Sequence, residues 1–269
     1  MKLQLNTTSV FSDLKILFHQ GKQFIPDVTT VEVPGIFRGR PVISVLGNSE
    51  ADNTLRSSVA AVCPVGAINP QPLQIDLGKC VFCGECSRSF PALIRFTKDY
   101  KISSASRNGL ITTEGRDVPI EIQADQVRRE IRRYLGKSLK LRQVSAAGDN
   151  SCELELNAAG NVNFDMGRFG IEFTASPRHA NGIVITGPIS QNMANPLQIC
   201  YDAVPAPKII VLAGTDAISG GLYSGSAAID RSFIDKYNID LYIPGNPVHP
   251  LTFINGILDL IREKKFVAT

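Results

Sequence analysis

Four of the six cysteines have a spacing that could bind a metal cluster. The 269-residue chain places its cysteines at Cys63, Cys80, Cys83, Cys86, Cys152 and Cys200. Three of them follow the pattern C-x2-C-x2-C, in which one tight loop wraps three thiolates around one face of a cuboidal iron–sulfur cluster, and Cys63, which precedes Pro64, would supply the fourth. The spacing predicts one 4Fe-4S cluster, whose ligands are Cys63, Cys80, Cys83 and Cys86.

A second cluster site is missing from this pattern. Two-cluster bacterial ferredoxins carry the run C-x2-C-x2-C-x3-C-P twice, and the fourth Cys of each run ligates the other cluster. The segment that ends in Cys63-Pro64 resembles the end of such a first run. The remaining ligands of the other cluster would fall at four positions that all lack Cys: Asn53, Arg56, Val59 and Phe90. The pattern therefore predicts an α+β ferredoxin-like domain that keeps one cluster.

Two roles besides cluster binding stay open for the four cysteines. They could form a structural zinc site, although zinc more often takes two C-x2-4-C pairs around a tetrahedral ion. They could also have no ligand role. A dense group of cysteines in a chain kept reduced in the cytoplasm more often binds metal than forms disulfides.

Composition excludes several classes of protein. Apolar residues make up 43% of the chain and charged residues 20%, which is typical of globular proteins, and the net charge of +3 is too small to indicate nucleic-acid binding. No apolar run approaches the roughly 20 residues that span a bilayer. The first ten residues lack the apolar region of a signal peptide. We expect a cytoplasmic protein with no membrane span of its own.

Strand-like and helix-like segments alternate through the second half of the chain. The sequence predicts a short helix near 10–18, a hairpin at 112–121 and an amphipathic helix at 124–135 that ends at Gly136. Strands are predicted at 138–144, 182–187, 208–214 and 239–245. Further helices are predicted at 192–204, 226–237 and 250–264. This alternation predicts an α/β flavodoxin-like domain with a parallel sheet.

The C-terminal half resembles the small subunit of energy-converting, membrane-bound nickel-iron hydrogenases and the homologous 20 kDa subunit of respiratory complex I. The resemblance begins at the segment LGKSLKLRQVSAAGDNSCELELNA and continues through VPAPKIIVLAGTDAISGG and YIPGNPVHP. Its most specific motifs are Arg168-Phe169-Gly170, Ser176-Pro177-Arg178-His179-Ala180 and Thr186-Gly187. The segment FRGRP at 37–41 resembles the entry to the ferredoxin-like subunit of the same complexes, so the chain looks like a fusion of two subunits.

The resemblance implies four domains or segments. They are an N-terminal arm at 1–45, a ferredoxin-like 4Fe-4S domain at 46–110, a linker hairpin and helix at 111–137, and a small-subunit-like α/β domain at 138–269.

In the family, the small subunit holds a proximal 4Fe-4S cluster with four Cys. The corresponding positions here are degenerate: Asp149 (or Ser151), Cys152, Asp216 and Asn246. One thiolate without other soft ligands cannot hold an ordinary cluster, so we expect this cluster to be absent. Arg178 and His179 are expected near the large-subunit interface and the proximal cluster.

The resemblance implies an electron-transfer subunit rather than a catalytic chain. Its partners would be a large-subunit-like protein and other subunits of a membrane complex, with an electron-carrier protein as a further candidate. The chain would lie on the inner face of the cell membrane through those subunits. Two alternatives stay open. One is a structural adaptor whose cluster takes no part in a relay, and the other is a stand-alone flavodoxin-like enzyme with a ferredoxin domain.

Overall fold

The computed structural model describes residues 7–21, 23–136 and 138–262. In the first half the helices are α1 (Thr7–Gln20), α2 (Glu50–Ala61), α3 (Glu85–Ser89) and α4 (Arg129–Leu135). The strands of that half are β1 (Pro41–Ile43), β2 (Ile68–Pro70), β3 (Leu73–Asp76), β4 (Ile94–Phe96) and β5 (Ile111–Thr113).

The second half contains the longer strands. They are β6 (Leu139–Ser145), β7 (Ile171–Phe173), β8 (Gly182–Thr186), β9 (Ile209–Ala213) and β10 (Leu241–Ile243). The helices are α5 (Ser151–Ala159), α6 (Gln191–Ala203), α7 (Thr215–Ser219), α8 (Ser232–Lys236) and α9 (Pro250–Ile261).

Two small antiparallel sheets surround the cysteine-rich segment. β1 pairs with β4, so a strand from the predicted N-terminal arm joins the segment 46–110. β2 and β3 form a hairpin, and β5 adds to the other edge of β3. Helix α2 begins at a capping box, in which the Ser49 hydroxyl accepts from the Asp52 N–H and the Asp52 carboxylate accepts from the Ser49 N–H.

The hairpin predicted at 112–121 is wrong. Glu114 and Gly115 do form a turn, but residues 116–120 form no strand. β5 instead pairs with β3, where Thr112 lies opposite Ile75. The turn residues indicate a turn, but they give no information about a partner strand that lies 37 residues away in sequence.

A five-stranded parallel sheet forms the centre of the second half, as predicted. Its order is β10-β9-β8-β6-β7, and every neighbouring pair is parallel. β8 and β9 are buried along their whole length, which agrees with their β-branched and apolar sequences, because helices cover both faces of a parallel sheet. The short strand β7 was not predicted.

The helices of the second half differ in extent from the predictions. The helix predicted at 124–135 is a 3-10 turn followed by α4, and the one predicted at 226–237 is limited to α8. α9 follows the prediction from Pro250 to Ile261, and residue 264 lies outside the described residues.

The two halves share their apolar cores. One core joins residues of the cysteine-rich segment, such as Leu73 and Ile94, to Ile183 and Leu212 of the parallel sheet. The other joins the extended arm to α9, where the buried Asn255 side chain donates to the Val28 carbonyl at 2.9 Å. The cysteine-rich segment is therefore packed firmly against the parallel-sheet domain.

Helix α1 agrees with the helix predicted near 10–18. Its residues 11–20 are all exposed, including Phe11, Leu17 and Phe18. Among the described helices, none combines the length and the apolar character needed to cross a bilayer.

Candidate metal centre

The structure brings the four motif cysteines to one cavity. Cys63 follows α2, Cys80 and Cys83 lie in the loop between β3 and α3, and Cys86 lies in α3. All four line the cavity, whose other walls include Val65, Ile68, Ile75 and Phe96. Cys80 and Cys86 are buried, Cys63 is partly buried and Cys83 is exposed. The cavity is thus thiol-rich and apolar, with one edge facing the solvent.

Backbone N–H groups donate to two of the sulfurs. The Ala67 N–H donates to the Cys63 Sγ at 3.2 Å, and the Phe82 N–H donates to the Cys80 Sγ at 3.3 Å. Phe82 and Gly84 have positive φ angles of 53° and 77°, which curl the loop so that its N–H groups turn inward. Such hydrogen bonds are among the features that set the potential of an iron–sulfur cluster.

The electrostatics of the cavity favour neutral thiols in the absence of a cation. The pKa of Cys80 is raised to about 12, mainly by burial and to a lesser extent by Cys86, Cys63 and Cys83, while the hydrogen bond from the Phe82 N–H opposes this rise. Burial likewise raises the pKa of Cys86 to about 11. A metal centre that binds thiolates reverses this preference and releases the protons.

The described residues contain no group of three or more His, Cys, Asp or Glu arranged to hold a single metal ion. The ligand role of Cys63, Cys80, Cys83 and Cys86 stays a prediction.

A buried threonine joins this loop to the second half of the chain. The Thr215 hydroxyl lies 2.8 Å from the Cys80 carbonyl and 3.2 Å from the Gly245 carbonyl, and Thr215 is 1% exposed. Thr215 is the first residue of α7, directly after β9. The sequence did not indicate this contact, because the two residues are 135 positions apart.

Replacing Thr215 by valine is expected to lower the free energy of unfolding by about 1–3 kcal/mol, because the buried carbonyl groups lose their donor. Thr215→Ser keeps the hydroxyl and is expected to cost less than about 1 kcal/mol. Urea denaturation of both variants measures the difference. A loss in Thr215→Val no larger than the loss in Thr215→Ser would contradict a dominant contribution from the hydroxyl group.

The degenerate proximal-cluster positions also meet, at the carboxyl ends of the parallel strands. Cys152 is the second residue of α5, which follows β6, and Asp216 is in α7, which follows β9. Burial raises the pKa of the Cys152 thiol to about 11, and the nearby carboxylates Glu153, Asp216 and Asp149 add to this effect. Burial also raises the pKa of Asp216, with Asp149 and then Glu153 as further causes.

The polar side chains at these positions have different partners. The Asp149 carboxylate accepts from the Ser151 N–H and hydroxyl, and the Thr186 hydroxyl donates to the buried Glu153 at 2.6 Å. The buried Oδ1 atom of Asp216 has no hydrogen-bond partner among the residues described. Asn246 follows β10 at the same edge of the sheet. The site contains one thiol beside three carboxyl groups, and the expected absence of a cluster here stays a prediction.

Three other residues singled out in the sequence lie elsewhere. Arg178 and His179 are exposed on a 3-10 turn that precedes β8, so they lie at the opposite edge of the sheet from Asp216. Their role at an interface stays a prediction. Cys200 lies in α6 and packs against the apolar core.

Three of the four positions of the missing ferredoxin cluster lie within a regular helix, and the fourth, Phe90, caps the end of α3 and packs against the apolar core. Asn53, Arg56 and Val59 are all in α2, and Val59 is fully buried. Arg56 is also buried and forms an ion pair with Glu114, with an N···O distance of 2.9 Å. Arg56 also donates to the Gly47 and Leu46 carbonyls and to the side-chain oxygen of Asn53.

Comparisons with known proteins match the second half of the chain. Residues 150–260 match the family described as NADH ubiquinone oxidoreductase, 20 Kd subunit. The B subunit of an NADH-quinone oxidoreductase from Clostridium beijerinckii is 38% identical over 124 residues, covering 42% of this chain and 67% of that protein. The corresponding B subunit from Desulfovibrio desulfuricans is 38% identical over 109 residues, covering 40% of this chain and 59% of that protein.

A hydrogenase subunit and a chain of a solved complex are also similar. A probable membrane-bound hydrogenase subunit from Pyrococcus furiosus is 28% identical, covering 49% of this chain and 78% of that protein. A chain in the structure of the membrane-bound sulfane sulfur reductase, an archaeal respiratory membrane complex, is 31% identical with a TM-score of 0.41, covering 47% of this chain and 70% of that chain.

These matches cover only part of each relative's length. The chain spans 59% of the length of the Desulfovibrio subunit and 67% of the Clostridium subunit. The matched family segment begins at residue 150, after the cysteine-rich loop. The chain belongs to the family of the NADH ubiquinone oxidoreductase 20 Kd subunit.

Proposed function

We propose that the chain is an iron–sulfur electron-transfer subunit of a membrane-associated oxidoreductase complex related to energy-converting hydrogenases and complex I. The observation that carries the proposal is the common cavity lined by Cys63, Cys80, Cys83 and Cys86. The similarity to a membrane-bound hydrogenase subunit and to NADH-quinone oxidoreductase subunits supports the type of complex.

The donor set fits one 4Fe-4S cluster. Each iron of a cuboidal cluster takes one thiolate, so the four ligands surround a volume instead of converging on a point. Four thiols around one apolar cavity match that requirement, whereas one tetrahedral zinc ion requires sulfurs at about 2.3 Å from a single centre. When bound, such a cluster takes up and releases one electron at a time.

The surrounding residues hold the ligands and control their environment. The N–H groups of Ala67 and Phe82 donate to two sulfurs, and the apolar side chains of Ile68 and Phe96 keep water from the cavity wall. The Thr215 hydroxyl fixes the Cys80 carbonyl. These contacts orient the thiols and adjust the cluster potential.

A ferredoxin-like architecture for the segment 46–110 is supported by its element order. The order β1-α2-β2 recurs as β3-α3-β4, and β1 lies antiparallel to β4. Cys63 follows the first helix, and the loop with Cys80 and Cys83 precedes the second. This approximate internal repeat is what a two-cluster ferredoxin would become after losing one ligand set.

A second cluster in the C-terminal half is not part of this proposal. Cys152 lies close to the carboxylates of Asp149, Glu153 and Asp216, which raise the pKa of its thiol. Carboxylates bind hard metal ions, whereas iron–sulfur clusters are bound by thiolates. Electrons would therefore leave the chain directly from the N-terminal cluster. We propose a large-subunit-like protein and an electron carrier as partners, and a place on the inner face of the membrane through them.

Anaerobic purification, with iron and sulfide analysis and EPR spectroscopy, tests the cluster. We expect about four iron and four sulfide per chain, and one signal after reduction with dithionite. About eight iron per chain would mean that the C-terminal half also binds a cluster. Zinc without iron would contradict the proposal.

A structural adaptor is the second candidate, and the shared core between the two halves favours it. In that case the cluster would stabilise the cysteine-rich segment without exchanging electrons with a partner. A redox titration followed by EPR separates the two. Reversible one-electron reduction supports the relay, and a cluster that is not reduced before it decomposes supports the adaptor.

A further inference from the structure

A cavity of about 350 Å³ lies between the extended arm, the cysteine loop and the parallel-sheet domain. Phe37 comes from the arm, Phe82 lies between two of the motif cysteines, and Ile102 is buried behind them. This volume is within the range of small-molecule sites, which lie between apolar walls with a few polar groups. The cavity also borders the loop that follows the edge strand β10, through Gly245, Asn246 and Pro247.

Two polar side chains in the cavity have no hydrogen-bond partner among the residues that the structure describes. Glu155 has no hydrogen bond or ion pair with any residue in the described part of the chain, and burial raises its pKa. The Asn246 side chain is likewise unpaired within the described ranges. Both side chains are only partly buried, so their polar atoms are accessible to water and available to a ligand.

Two other side chains in the cavity supply donors. Arg38 uses one N–H for the Phe82 carbonyl at 3.2 Å, which leaves further N–H groups for a ligand. His249 accepts from the Leu251 N–H through Nδ1, so the neutral ring carries its proton on Nε2. Burial lowers the pKa of His249, which keeps the ring neutral.

We propose that this cavity binds a planar heteroaromatic ring of the flavin or pterin class. The flat faces of such a ring suit the walls formed by Phe37, Phe82 and Ile102. Its edge carries both kinds of group that the cavity requires, namely acceptors for Arg38 and His249 and donors for Glu155. A purely apolar ligand would leave these polar groups unpaired, and a simple anion would not fill the apolar walls.

Equilibrium dialysis of the full chain against riboflavin tests this site, with menadione as a ring of comparable shape whose edge only accepts hydrogen bonds. We expect saturable binding of one riboflavin per chain, and menadione binding weaker by about tenfold. Glu155→Leu keeps the volume but removes the polar group, and is expected to weaken riboflavin binding by about tenfold. Arg38→Met, at an exposed position, is expected to have a similar effect.

The matched control is Glu172→Gln on the exposed face of the edge strand β7, which should bind riboflavin as the native chain does. The absence of saturable riboflavin binding overturns the proposal. So does equal binding of menadione, or native affinity in both the Glu155→Leu and Arg38→Met variants. Binding does not require iron, so its failure would leave the proposed electron-transfer function unaffected.

Discussion

Replacing Cys80 or Cys86 by alanine is expected to abolish cluster binding and leave less than about one iron per chain, against about four in the native protein. Both side chains are buried in the cavity, so no other described thiol can take their place there. The variants should also melt at a lower temperature, because a bound metal centre contributes its binding free energy to folding. Iron analysis and thermal melting of anaerobically purified protein measure both effects.

Cys200→Ala and Cys152→Ala are the matched controls. Cys200 packs in the core beside α6, and Cys152 lies among carboxyl groups at the parallel sheet. Both variants are expected to retain the native iron content and the native EPR signal. Loss of iron from Cys152→Ala would contradict the ligand set proposed here and assign part of the cluster to the C-terminal half.

The features that could be predicted from the sequence are those formed by residues that lie close together in the chain. The cysteine loop is local, since Cys80, Cys83 and Cys86 lie within seven residues, and their meeting in one cavity follows from that spacing and from the fold that returns Cys63 to them. The strands β8 and β9 were also predictable, because their continuous β-branched and apolar runs are typical of buried parallel strands.

Features that depend on distant contacts were not predictable. The three residues of β7 give too short a pattern, and β5 was assigned to the wrong partner because β3 lies far away in sequence. The contact of Thr215 with Cys80 and the burial of Arg56 arise only when the halves of the chain pack together. An arginine within a helix is ordinarily expected on a solvated face.

Replacing Arg56 by leucine is expected to lower the free energy of unfolding by about 3–5 kcal/mol, because it leaves the Glu114 carboxylate buried without a countercharge. The side chains of Arg56 and Glu114 are only 5% and 17% exposed. The Gly47 and Leu46 carbonyls also lose their donor in this variant. Denaturation in urea measures the loss.

The double variant Arg56→Leu/Glu114→Leu isolates the charge effect. It removes both charges and replaces them with apolar groups in a site bordered by Val59, so it is expected to lose much less stability than the sum of the two single variants. The exposed pair Lys140–Glu172 is the control, where Lys140→Ala should change the free energy of unfolding by less than about 1 kcal/mol. Additive losses in the double variant would contradict this account. A double variant that regains stability would instead show that apolar packing can replace this ion pair. That is the expected result if the position of the missing cluster has to be filled by side chains but does not require a charge.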